Sequence, residues 1–428
     1  MAEEKFDVII VGGGIAGCIA GYLLAKDGLE VLIIERGNTI GAKNTSGGRI
    51  YAHSIEPIFP DFGNIAPIER LITHEKLSFM SEDENLTMDY TLKPTENKME
   101  LSYSVLRVKF DEWLGEQAEN AGASIITGIR VDDLIQRDNK ICGVIAGGEE
   151  MEADVVILAD GANSTLCSKY GLGYELNPHT CAVGVKEIIE LGKDRIEDIF
   201  NVNENEGAAW LFAGSPSAGH MGGGFLYTNK TSISLGVVFG LHNSHNSNVT
   251  VPEMLENFKN HPSVKPLIKN GKTTEYSAHI VPEGGLGAIK KISDNGVLVV
   301  GDCAGLCLNV GYSVRGMDLA VESAVCAAKA IVKAKQNNDF SVASLSEYNK
   351  KLNDSFVMKD LSLYKNLPNV LSNDRIFNEY PKMVNGIMRD LFVVNGASLP
   401  LRNKILPRLK EVGYFNIIKD VFSGVKSI

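Results

Sequence analysis

The sequence predicts an α/β protein in which a βαβ domain is interrupted by an antiparallel-sheet domain and followed by a helical C-terminal region. Residues 6–36 have the pattern of strand, glycine-rich turn, helix and strand. Two later apolar runs, 153–158 and 297–300, have the length of buried parallel strands. Alternating residues at 70–104 and short strand patterns at 180–241 separate these runs, so the parallel-strand domain resumes twice after interruptions.

The same pattern divides the chain into interleaved segments. The βαβ domain has three segments, 1–70, 106–176 and 291–340. The inserted domain has two, 71–105 and 177–290, and the helical region is 341–428. A length of 428 residues is typical of two or three domains, which suits this division.

The first turn has the features of a dinucleotide-binding site. An apolar strand at 8–11 leads into Gly12-x-Gly14-x-x-Gly17, a helical pattern follows, and the next strand stops at Glu35. Gly12 permits the turn, Gly14 lets the backbone approach a pyrophosphate, and Gly17 allows close helix–strand packing. Glu35 is placed to accept ribose hydroxyls and to repel a 2′-phosphate. Strand, turn, helix and acid together predict dinucleotide binding.

Composition excludes several other classes. The formal net charge of −11 argues against general nucleic-acid binding. The seven cysteines are scattered, without a CxxC pair or a histidine cluster, so we expect no resident metal and a reducing, cytoplasmic setting. The acidic start leads straight into a strand, which predicts no signal peptide. No stretch reaches the ~20 apolar residues of a spanning helix, so any membrane contact is expected to be peripheral.

The C-terminal region is basic, in contrast to the rest of the chain. From Arg375 onwards nine Lys/Arg oppose four Asp/Glu, which gives +5 and leaves −16 for the preceding residues. Between 392 and 410, apolar residues interleave with arginine and lysine. Two interpretations stay open: a surface for an anionic membrane or an acidic partner, and a helical bundle that closes onto the body.

Two further strand ends carry acids. The run 153–158 leads to Asp160, and the run 297–300 leads to Asp302. Ligands of open parallel sheets bind at the carboxyl ends of the strands, so Asp302 is placed to bond a ribityl or ribose hydroxyl. The helix that begins near Gly316 would direct its positive end at the pyrimidine side of a flavin.

Two glycine-rich segments have the composition of ligand-contacting loops. Residues 37–52 follow Glu35, and we predict a long loop that runs along the cofactor, with a surface loop as the alternative. Residues 219–227 hold three adjacent glycines before an aromatic strand start, which indicates close backbone approach to a ligand or a bulged hairpin. His220 beside them is a candidate to bond a substrate oxygen, or a structural histidine.

The order of these motifs resembles that of the glutathione-reductase-like flavoproteins of the aromatic hydroxylase and geranylgeranyl reductase type. The resemblance implies non-covalently bound FAD and places Arg107 near its pyrophosphate. The cofactor contacts predicted from the motifs and this resemblance are Gly12, Gly14, Ile15, Ala16, Gly17, Glu35, Arg36, Lys43, Ser46, Gly47, Gly48, Arg107, Val131, Ala159, Asp160, Gly161, Gly301, Asp302, Gly311, Gly316 and Met317.

Several separate segments narrow the resemblance to the electron transfer flavoprotein–quinone oxidoreductases, in their shorter bacterial FixC form. These segments lie at 222–227, 235–241, 261–266, 271–272 and 283–285. The likeness covers about residues 5–330. It implies that electrons pass through FAD to a quinone, with the backbone of Gly222 and Gly223 at a quinone carbonyl and His220 close by.

One departure from the larger family concerns the iron–sulfur cluster. That family ends in a ferredoxin-like domain with four cysteine ligands, and this sequence has no such set. The resemblance to the FixC form implies that a separate FixX-like ferredoxin carries the cluster. It also implies a complex with the α and β subunits of an electron transfer flavoprotein, which in some settings bifurcates electrons. We expect a cytoplasmic protein, with peripheral contact at the inner face of the cell membrane as the alternative.

Three other functions suit the same fold. A prenyl-lipid reductase is the main alternative, because Trp210-x-Phe212 is faintly similar to a substrate-cavity motif of the geranylgeranyl reductases. An aromatic monooxygenase would require direct reduction of the flavin by a nicotinamide. A flavin-carrying scaffold subunit would show no turnover. In each case the cofactor supplies the chemistry and no acid–base dyad of the protein is required.

Overall fold

The computed structural model describes residues 5–44 and 47–427. In chain order the strands are β1 (Phe6–Val11), β2 (Val31–Glu35), β3 (Gly48–Tyr51), β4 (Arg70–Met80), β5 (Asn85–Thr91), β6 (Ser102–Val105), β7 (Ser124–Thr127), β8 (Val131–Arg137), β9 (Lys140–Ala146), β10 (Glu149–Leu158), β11 (Cys181–Glu190), β12 (Glu206–Gly214), β13 (Gly222–Thr228), β14 (Ser232–Gly240), β15 (Lys272–Pro282), β16 (Ser293–Asp294), β17 (Val297–Val299), β18 (Leu308–Asn309) and β19 (Val314–Arg315).

Helices connect and cover these strands. In chain order they are α1 (Ile15–Lys26), α2 (Ala52–Ile55), α3 (Phe62–Ile65), α4 (Arg107–Asn120), α5 (Thr165–Tyr170), α6 (Lys193–Phe200), α7 (Val251–Asn260), α8 (Met317–Gln336), α9 (Val342–Asp354), α10 (Phe356–Leu363), α11 (Leu367–Leu371), α12 (Glu379–Phe392), α13 (Leu401–Val412) and α14 (Tyr414–Lys426). The predicted helical C-terminal region is therefore confirmed.

The first sheet has the order β16-β17-β10-β1-β2-β7, and β17, β10, β1, β2 and β7 run parallel. Ile9 and Ile10 point to opposite faces of β1 and are both fully buried, which explains the continuous apolar runs in the sequence. The carboxyl ends of β1, β2, β10 and β17 meet at one edge. The phosphate turn, Glu35, Asp160 and Asp302 follow these ends, as the sequence predicts.

The second sheet has the order β15-β11-β14-β13-β12-β4-β6-β3, with β5 paired to β4. Its strands are antiparallel except for the pair β4 and β12. One face packs on α6 and α7 through a core that includes Phe212, Leu226 and Phe258. The other face is turned towards the first sheet, so the fold class predicted from the sequence is confirmed.

The prediction of a loop over residues 37–52 was wrong in its last part. Residues 48–51 form β3, which pairs with β6 from Gly48↔Val105 to Tyr51↔Ser102. The Arg49 guanidinium also forms an ion pair with Glu75 of β4, with Nη1 2.9 Å from Oε2. Pairing with a distant strand overrides the turn-like composition of this segment.

Helix α12 packs against β4 and closes one side of the second sheet. The Asn385 side chain is buried, and its Nδ2 donates a hydrogen bond to the Phe79 carbonyl oxygen at 2.9 Å. Helix α13 packs on α12, and α14 packs on α11 and α13. Met221, Leu367, Leu371 and Phe377 form a small apolar cluster between β13 and this helical region.

Candidate active site: a dinucleotide cleft beside a glycine-floored sheet

Glycine shapes the turn between β1 and α1. Gly12 has φ +104°, and a Cβ there would lie 2.5 Å from the Ala159 carbonyl oxygen. A Cβ on Gly17 would lie 2.0 Å from the Gly12 carbonyl oxygen, so the helix packs this closely only with glycine. Gly14 caps α1 without a side-chain hydrogen bond from any described residue. The first N–H groups of α1 are therefore available to a pyrophosphate at the positive end of the helix.

Glu35 is fixed by backbone donors at the end of β2. Its Oε2 accepts a hydrogen bond from the Gly13 amide at 2.8 Å, and its Oε1 accepts one from the Gly37 amide at 2.6 Å. The side chain lines the cleft and is 9% exposed. Each oxygen keeps a lone pair, which suits a carboxylate that accepts two ribose hydroxyls.

Arg107, at the start of α4, is held by a buried acid. Its Nε and Nη2 donate to the two carboxylate oxygens of Asp111, each at 2.8 Å, and Asp111 is fully buried. Asn44 bonds the same carboxylate. Burial alone would lower the pKa of Arg107, but pairing with Asp111 raises it, so the guanidinium stays charged. It lines the cleft beside Gly14, where a pyrophosphate would lie.

The end of β10 offers an unsatisfied acid. The Oδ1 atom of Asp160 is buried and has no hydrogen-bond partner among residues 5–44 and 47–427. Burial raises the pKa of Asp160 to about 6. Gly161 has φ +82°, and a Cβ there would have no atom within 4 Å. An orphaned acid beside an open backbone position fits a ligand that supplies a hydroxyl or amide donor.

The end of β17 and the start of α8 complete the cleft. Asp302 lines it, and Gly316 caps the 20-residue α8 without a side-chain hydrogen bond from the described part of the chain. The positive end of α8 therefore faces the cleft beside Met317. A phosphate turn, a ribose acid, a paired arginine and a second helix N-terminus around one cleft fit FAD.

Most of the predicted cofactor residues line a single cleft of about 420 Å³. These are Gly12, Gly14, Ile15, Ala16, Glu35, Arg36, Lys43, Gly47, Gly48, Arg107, Val131, Ala159, Asp160, Gly161, Gly301, Asp302, Gly316 and Met317. Gly17 packs beneath the turn, and Gly311 lies against Leu371, where a Cβ would be 3.7 Å from its Cδ2. Ser46 lies outside the described residues.

A glycine floor continues from the cleft across the second sheet. Gly223 pairs with Val238, Val238 with Gly184, and Gly184 with His279, which lines the cleft. Directly paired residues share a face of a sheet, so this row connects Gly223 to the cleft over three strand spacings, about 14 Å. A Cβ on Gly184 would meet nothing closer than 3.8 Å, so there is space above this glycine, beside the Val238 and Val281 side chains.

Apolar side chains flank this floor in the next row. Leu77 pairs with Leu211, Leu211 with Phe225, and Phe225 with Gly236. All three apolar side chains are partly exposed, whereas their strand neighbours, such as Leu226, are buried on the opposite face. We call the surface formed by Gly184, Gly223, Gly236 and these side chains the glycine-floored face.

The predicted quinone residues lie at the far end of this face. Gly222 and Gly223 have φ +136° and +144°, and a Cβ on Gly223 would lie 2.3 Å from the Phe212 carbonyl oxygen. The pairing of β12 with β13 starts only at Gly224. His220 is turned towards the C-terminal region, with Nδ1 3.6 Å from the Asp374 carboxylate. The cleft and the triple-glycine hairpin are thus joined by one face of the sheet rather than by direct contact.

Several residues of the site are not predictable from motifs. His279, Tyr227 and Arg49 line the cleft. Asp111 and Lys186 hold two residues that line it, since Asp111 bonds Arg107 and Lys186 bonds Gly47. The signal for Lys186 was a charged pair, Lys186 and Glu187, in an otherwise apolar strand pattern at 181–189. Asp111 lies four residues after Arg107 on α4, whereas the three cleft-lining residues depend on cross-strand register, which a single sequence does not encode locally.

Comparisons with known proteins agree with this geometry. The FAD binding domain model matches residues 5–221, the ETF-QO ubiquinone-binding model matches 181–281, and the ETF-QO/FixC family C-terminal domain matches 367–428. Protein FixC of Escherichia coli (strain K12) is 53% identical over 426 residues, with 99% of both chains covered. The chain belongs to the ETF-QO/FixC family.

A second relative supports the same assignment, and a more distant structure shares the fold. The probable electron transfer flavoprotein-quinone oxidoreductase YdiS of Escherichia coli (strain K12) is 49% identical over 429 residues and covers all of both chains. A geranylgeranyl bacteriochlorophyll reductase-like structure from Thermoplasma acidophilum has a TM-score of 0.72 at 22% identity, covering 98% of this chain and 99% of its own. The latter shows the shared fold.

Family membership and the cleft together define the chain as an FAD-dependent oxidoreductase of the ETF-QO/FixC family, with a ubiquinone-binding region. The glycine-floored face lies within the residues matched by the ubiquinone-binding model, apart from Leu77. Among the described helices, none combines the length and apolar character needed to cross a bilayer.

Proposed function

We propose that the protein accepts electrons from a reduced electron transfer flavoprotein and passes them through bound FAD to a quinone. The observation that carries the proposal is the continuity between the FAD cleft and the glycine-floored face. A two-electron acceptor with a flat ring and an apolar tail would find a flat floor and apolar walls next to the cofactor. The family assignment supports a quinone as this acceptor.

The cofactor would be held by groups from three strand ends. The α1 amides and Arg107 would bind the pyrophosphate, Glu35 the adenosine ribose, and Asp302 the ribityl chain. The N-terminus of α8 would lie near the ring and stabilise negative charge on it. When bound, FAD supplies the redox chemistry, because it accepts a pair of electrons and releases them to an acceptor.

The quinone would lie over Gly222 and Gly223. The backbone of these residues lies beyond the end of the β12–β13 pairing, which leaves polar groups for a quinone carbonyl. Their φ values exclude side chains, so the ring can approach the backbone closely. The apolar cluster around Met221 and Leu371 adjoins the hairpin and suits an isoprenoid tail. His220 adjoins this site but faces Asp374, so we assign the ring contact to the glycine backbone rather than to His220.

An iron–sulfur cluster is proposed to reside on a separate FixX-like ferredoxin. Within the residues that the structure describes, the one close group of cysteine, histidine and acidic side chains is Asp160, Cys167 and Cys303. One cleft-lining acid and two buried cysteines do not make a four-cysteine cluster site. The electron transfer flavoprotein subunits and this ferredoxin would complete the electron path.

A peripheral membrane contact is proposed for α13 and α14. Phe415, Ile418, Phe422 and Val425 share one face of α14 and are 56–78% exposed. This spacing is that of a helix lying in a membrane interface with its apolar face inserted. Lys419 and Lys426 lie on the same helix and favour anionic lipid. A quinone dissolved in the bilayer would then be close to its site.

The prenyl-lipid reductase alternative gains no support from the motif that suggested it. Trp210 and Phe212 stack with ring centroids 4.7 Å apart and pack in the core with Phe258, on the face away from the cleft. The Trp210 indole donates a hydrogen bond to Ser78 Oγ at 2.8 Å. Neither side chain reaches the glycine-floored face.

The proposal is tested with purified, FAD-loaded protein under anaerobic conditions. Reduced electron transfer flavoprotein is the donor, and a short-chain ubiquinone or menaquinone analogue is the acceptor. We expect donor-dependent quinol formation, increased by the FixX-like ferredoxin. Quinone left unreduced while geranylgeranyl lipid becomes saturated would replace the proposal with the reductase alternative. A low-potential ferredoxin as a second acceptor in the same assay measures bifurcation.

A further inference from the structure

Lys186 is a buried amine beneath the loop that borders the cofactor cleft. It lies on β11, is 5% exposed, and its Nζ donates a hydrogen bond to the Gly47 carbonyl oxygen at 2.5 Å. Gly47 and Gly48 both line the cleft. Lys186 pairs with Gly236 on one side and Ser277 on the other, so it shares the glycine-floored face. The amine therefore stands where the cleft meets that face.

The charged groups around Lys186 come from two elements. Arg107 of α4 acts on it as a like charge, and Glu275 of β15 acts on it as an opposite charge. His279, two residues from Ser277 on the same face of β15, also interacts with Lys186 and Arg107. On the adjacent β14, Gly236 contributes no side chain, and a Cβ there would lie 2.6 Å from the Lys186 Cβ.

This environment makes the protonation of Lys186 sensitive to nearby charge. Burial first, and then the Arg107 charge, lowers its pKa from 10.5 to about 7, while Glu275 opposes the shift. An amine that is half-protonated near neutral pH responds strongly to one more charge within a few ångströms, because a buried site screens it weakly. Reduction of a cofactor in the adjoining cleft adds such a negative charge.

We propose that Lys186 binds a proton when the cofactor is reduced and releases it when the cofactor is reoxidised. On reduction, two electrons and one proton enter the cofactor from the reduced flavoprotein and water, and Nζ takes a second proton from water. On reoxidation the Nζ–H bond breaks, and two electrons and two protons leave for the quinone, whose two oxygens each gain a hydrogen. The donor and the quinone named here rest on the proposed function, whereas proton uptake by Nζ on reduction is the same whichever donor supplies the electrons.

Lys186 is a positioning residue and not a catalytic residue. It bonds the carbonyl oxygen of Gly47, which lines the cleft, and its charge would act on the cofactor from there. Its protonated form would raise the reduction potential of the bound cofactor, and proton uptake would couple that potential to pH. The potential falls with pH in any case, because the cofactor itself takes up one proton with two electrons. Proton uptake by the amine is reciprocally coupled to reduction, so it makes this fall steeper above the pKa of Lys186 in the oxidised protein.

The test is the midpoint potential of protein-bound FAD, measured by spectroelectrochemistry across neutral pH. The wild-type potential is expected to depend on pH with a change of slope near pH 7. Lys186→Met should lose that change of slope and have a lower potential below pH 7. Lys186→Arg should also lose it but keep the higher potential, because arginine stays charged.

Lys76→Met is the matched control. Lys76 lies on β4 of the same sheet, its side chain is 13% exposed, and it stands over Trp210 on the face away from the cleft. This variant should keep the wild-type slope. If plots of midpoint potential against pH are parallel straight lines for wild type, Lys186→Met and Lys186→Arg, the inference is wrong. If Lys186→Met loses FAD, the comparison of wild type with Lys186→Arg decides on its own.

The outcome is separable from that of the proposed function. The potential measurement uses neither quinone nor electron transfer flavoprotein. If the slope changes with Lys186 but the protein reduces no quinone, redox-linked protonation stands and the quinone acceptor is wrong. If the protein reduces quinone but the slope does not change, the proposed function stands and the role of Lys186 is wrong.

Discussion

The dinucleotide cleft and the C-terminal helices use apolar side chains in opposite ways. In β1, Ile9 and Ile10 are fully buried on opposite faces of the strand, which holds the turn that would bind the cofactor. In α14, Phe415 is 78% and Phe422 is 63% exposed. Large apolar side chains exposed together on the surface of a folded protein are typical of an interaction site. The strand is buried within the chain itself, whereas the apolar face of α14 is the surface for which we propose a membrane contact.

Glycines show the same difference. A Cβ on Gly17 would lie 2.0 Å from a backbone oxygen, whereas a Cβ on Gly424 of α14 would have no atom within 4 Å. The first glycine is required by close packing around the cofactor turn. The second is a helix position with open space beside it.

Gly17→Val should be the most damaging change. Its side chain has no space between α1 and β1, so we expect a loss of about 3 kcal/mol or more in the free energy of unfolding, with no FAD retained. Gly424→Ala is the control and should change stability by less than about 1 kcal/mol. Denaturant unfolding and the flavin content of purified protein measure both. Equal effects of the two variants would contradict the contrast.

Arg107→Gln should weaken FAD binding about tenfold to a hundredfold, because a charge-assisted bond to a phosphate contributes about 1.5–3 kcal/mol. It should also lower stability, since Asp111 would be left buried without its cation. Isothermal titration of apoprotein with FAD measures the affinity. Arg137→Gln, which removes a 55% exposed arginine on β8, is the control. Unchanged affinity in Arg107→Gln would remove Arg107 from the pyrophosphate site.

Phe415→Ser combined with Phe422→Ser should separate the surface from the fold. Both side chains are exposed, so the free energy of unfolding should stay within about 0.5 kcal/mol of wild type. Binding to vesicles of anionic phospholipid should fall by about tenfold or more, since two aromatic side chains no longer insert. Co-sedimentation with vesicles measures this. Leu363→Ser, which changes a 54% exposed leucine on α10, should bind like wild type.

A smaller effect is expected where α14 is fastened to the body. Arg375 Nε and Nη2 each lie 2.7 Å from the Asp420 carboxylate, and the Tyr380 hydroxyl donates to it at 2.7 Å. Arg375→Gln should destabilise the docking of α14 by about 1 kcal/mol, because the pair is partly solvent-exposed. Amide hydrogen exchange confined to α14 should quicken. Faster exchange spread over β1 and α1 would contradict a local role.

The same pair predicts a pH dependence. Bonding to Arg375 lowers the pKa of Asp420 from 3.8 to about 2, so its contribution is complete above the unfolded value. The contribution is lost as the pH falls from about 4 towards 2, because the carboxylate is then protonated. Exchange of α14 amides should therefore quicken in acid before that of the sheets. Arg375→Gln should lose this early step.

The features that the sequence predicts well are local in the chain. Strand, turn, helix and acid at 6–36 follow from side-chain periodicity and glycine spacing over short distances, and Glu35 lies where that spacing places it. The acids after β10 and β17 could be predicted because parallel strands end at one edge. Family motifs supplied Gly223 but gave no indication of what lies beside it.

The remaining features depend on register between distant strands. Gly184, Val238 and His279 form one row with Gly223 only because β11 pairs with both β14 and β15. Pairing with β6 likewise turns residues 48–51 into a strand despite their turn-like composition. Side-chain periodicity identifies which faces of a strand are apolar, but a one-residue slip would place the opposite faces together.

We propose that the glycine-floored face holds a quinone close enough to the cleft to accept electrons from bound FAD. This proposal is tested most directly by anaerobic single-turnover mixing of the reduced, FAD-loaded protein with a short-chain quinone. Ala213, which is partly exposed, lies beside Gly223. The wild-type flavin should reoxidise with a rate that saturates in quinone, and Ala213→Phe should slow this more than tenfold with its FAD content unchanged. Flavin that stays reduced, or equal rates in both proteins, would contradict the account.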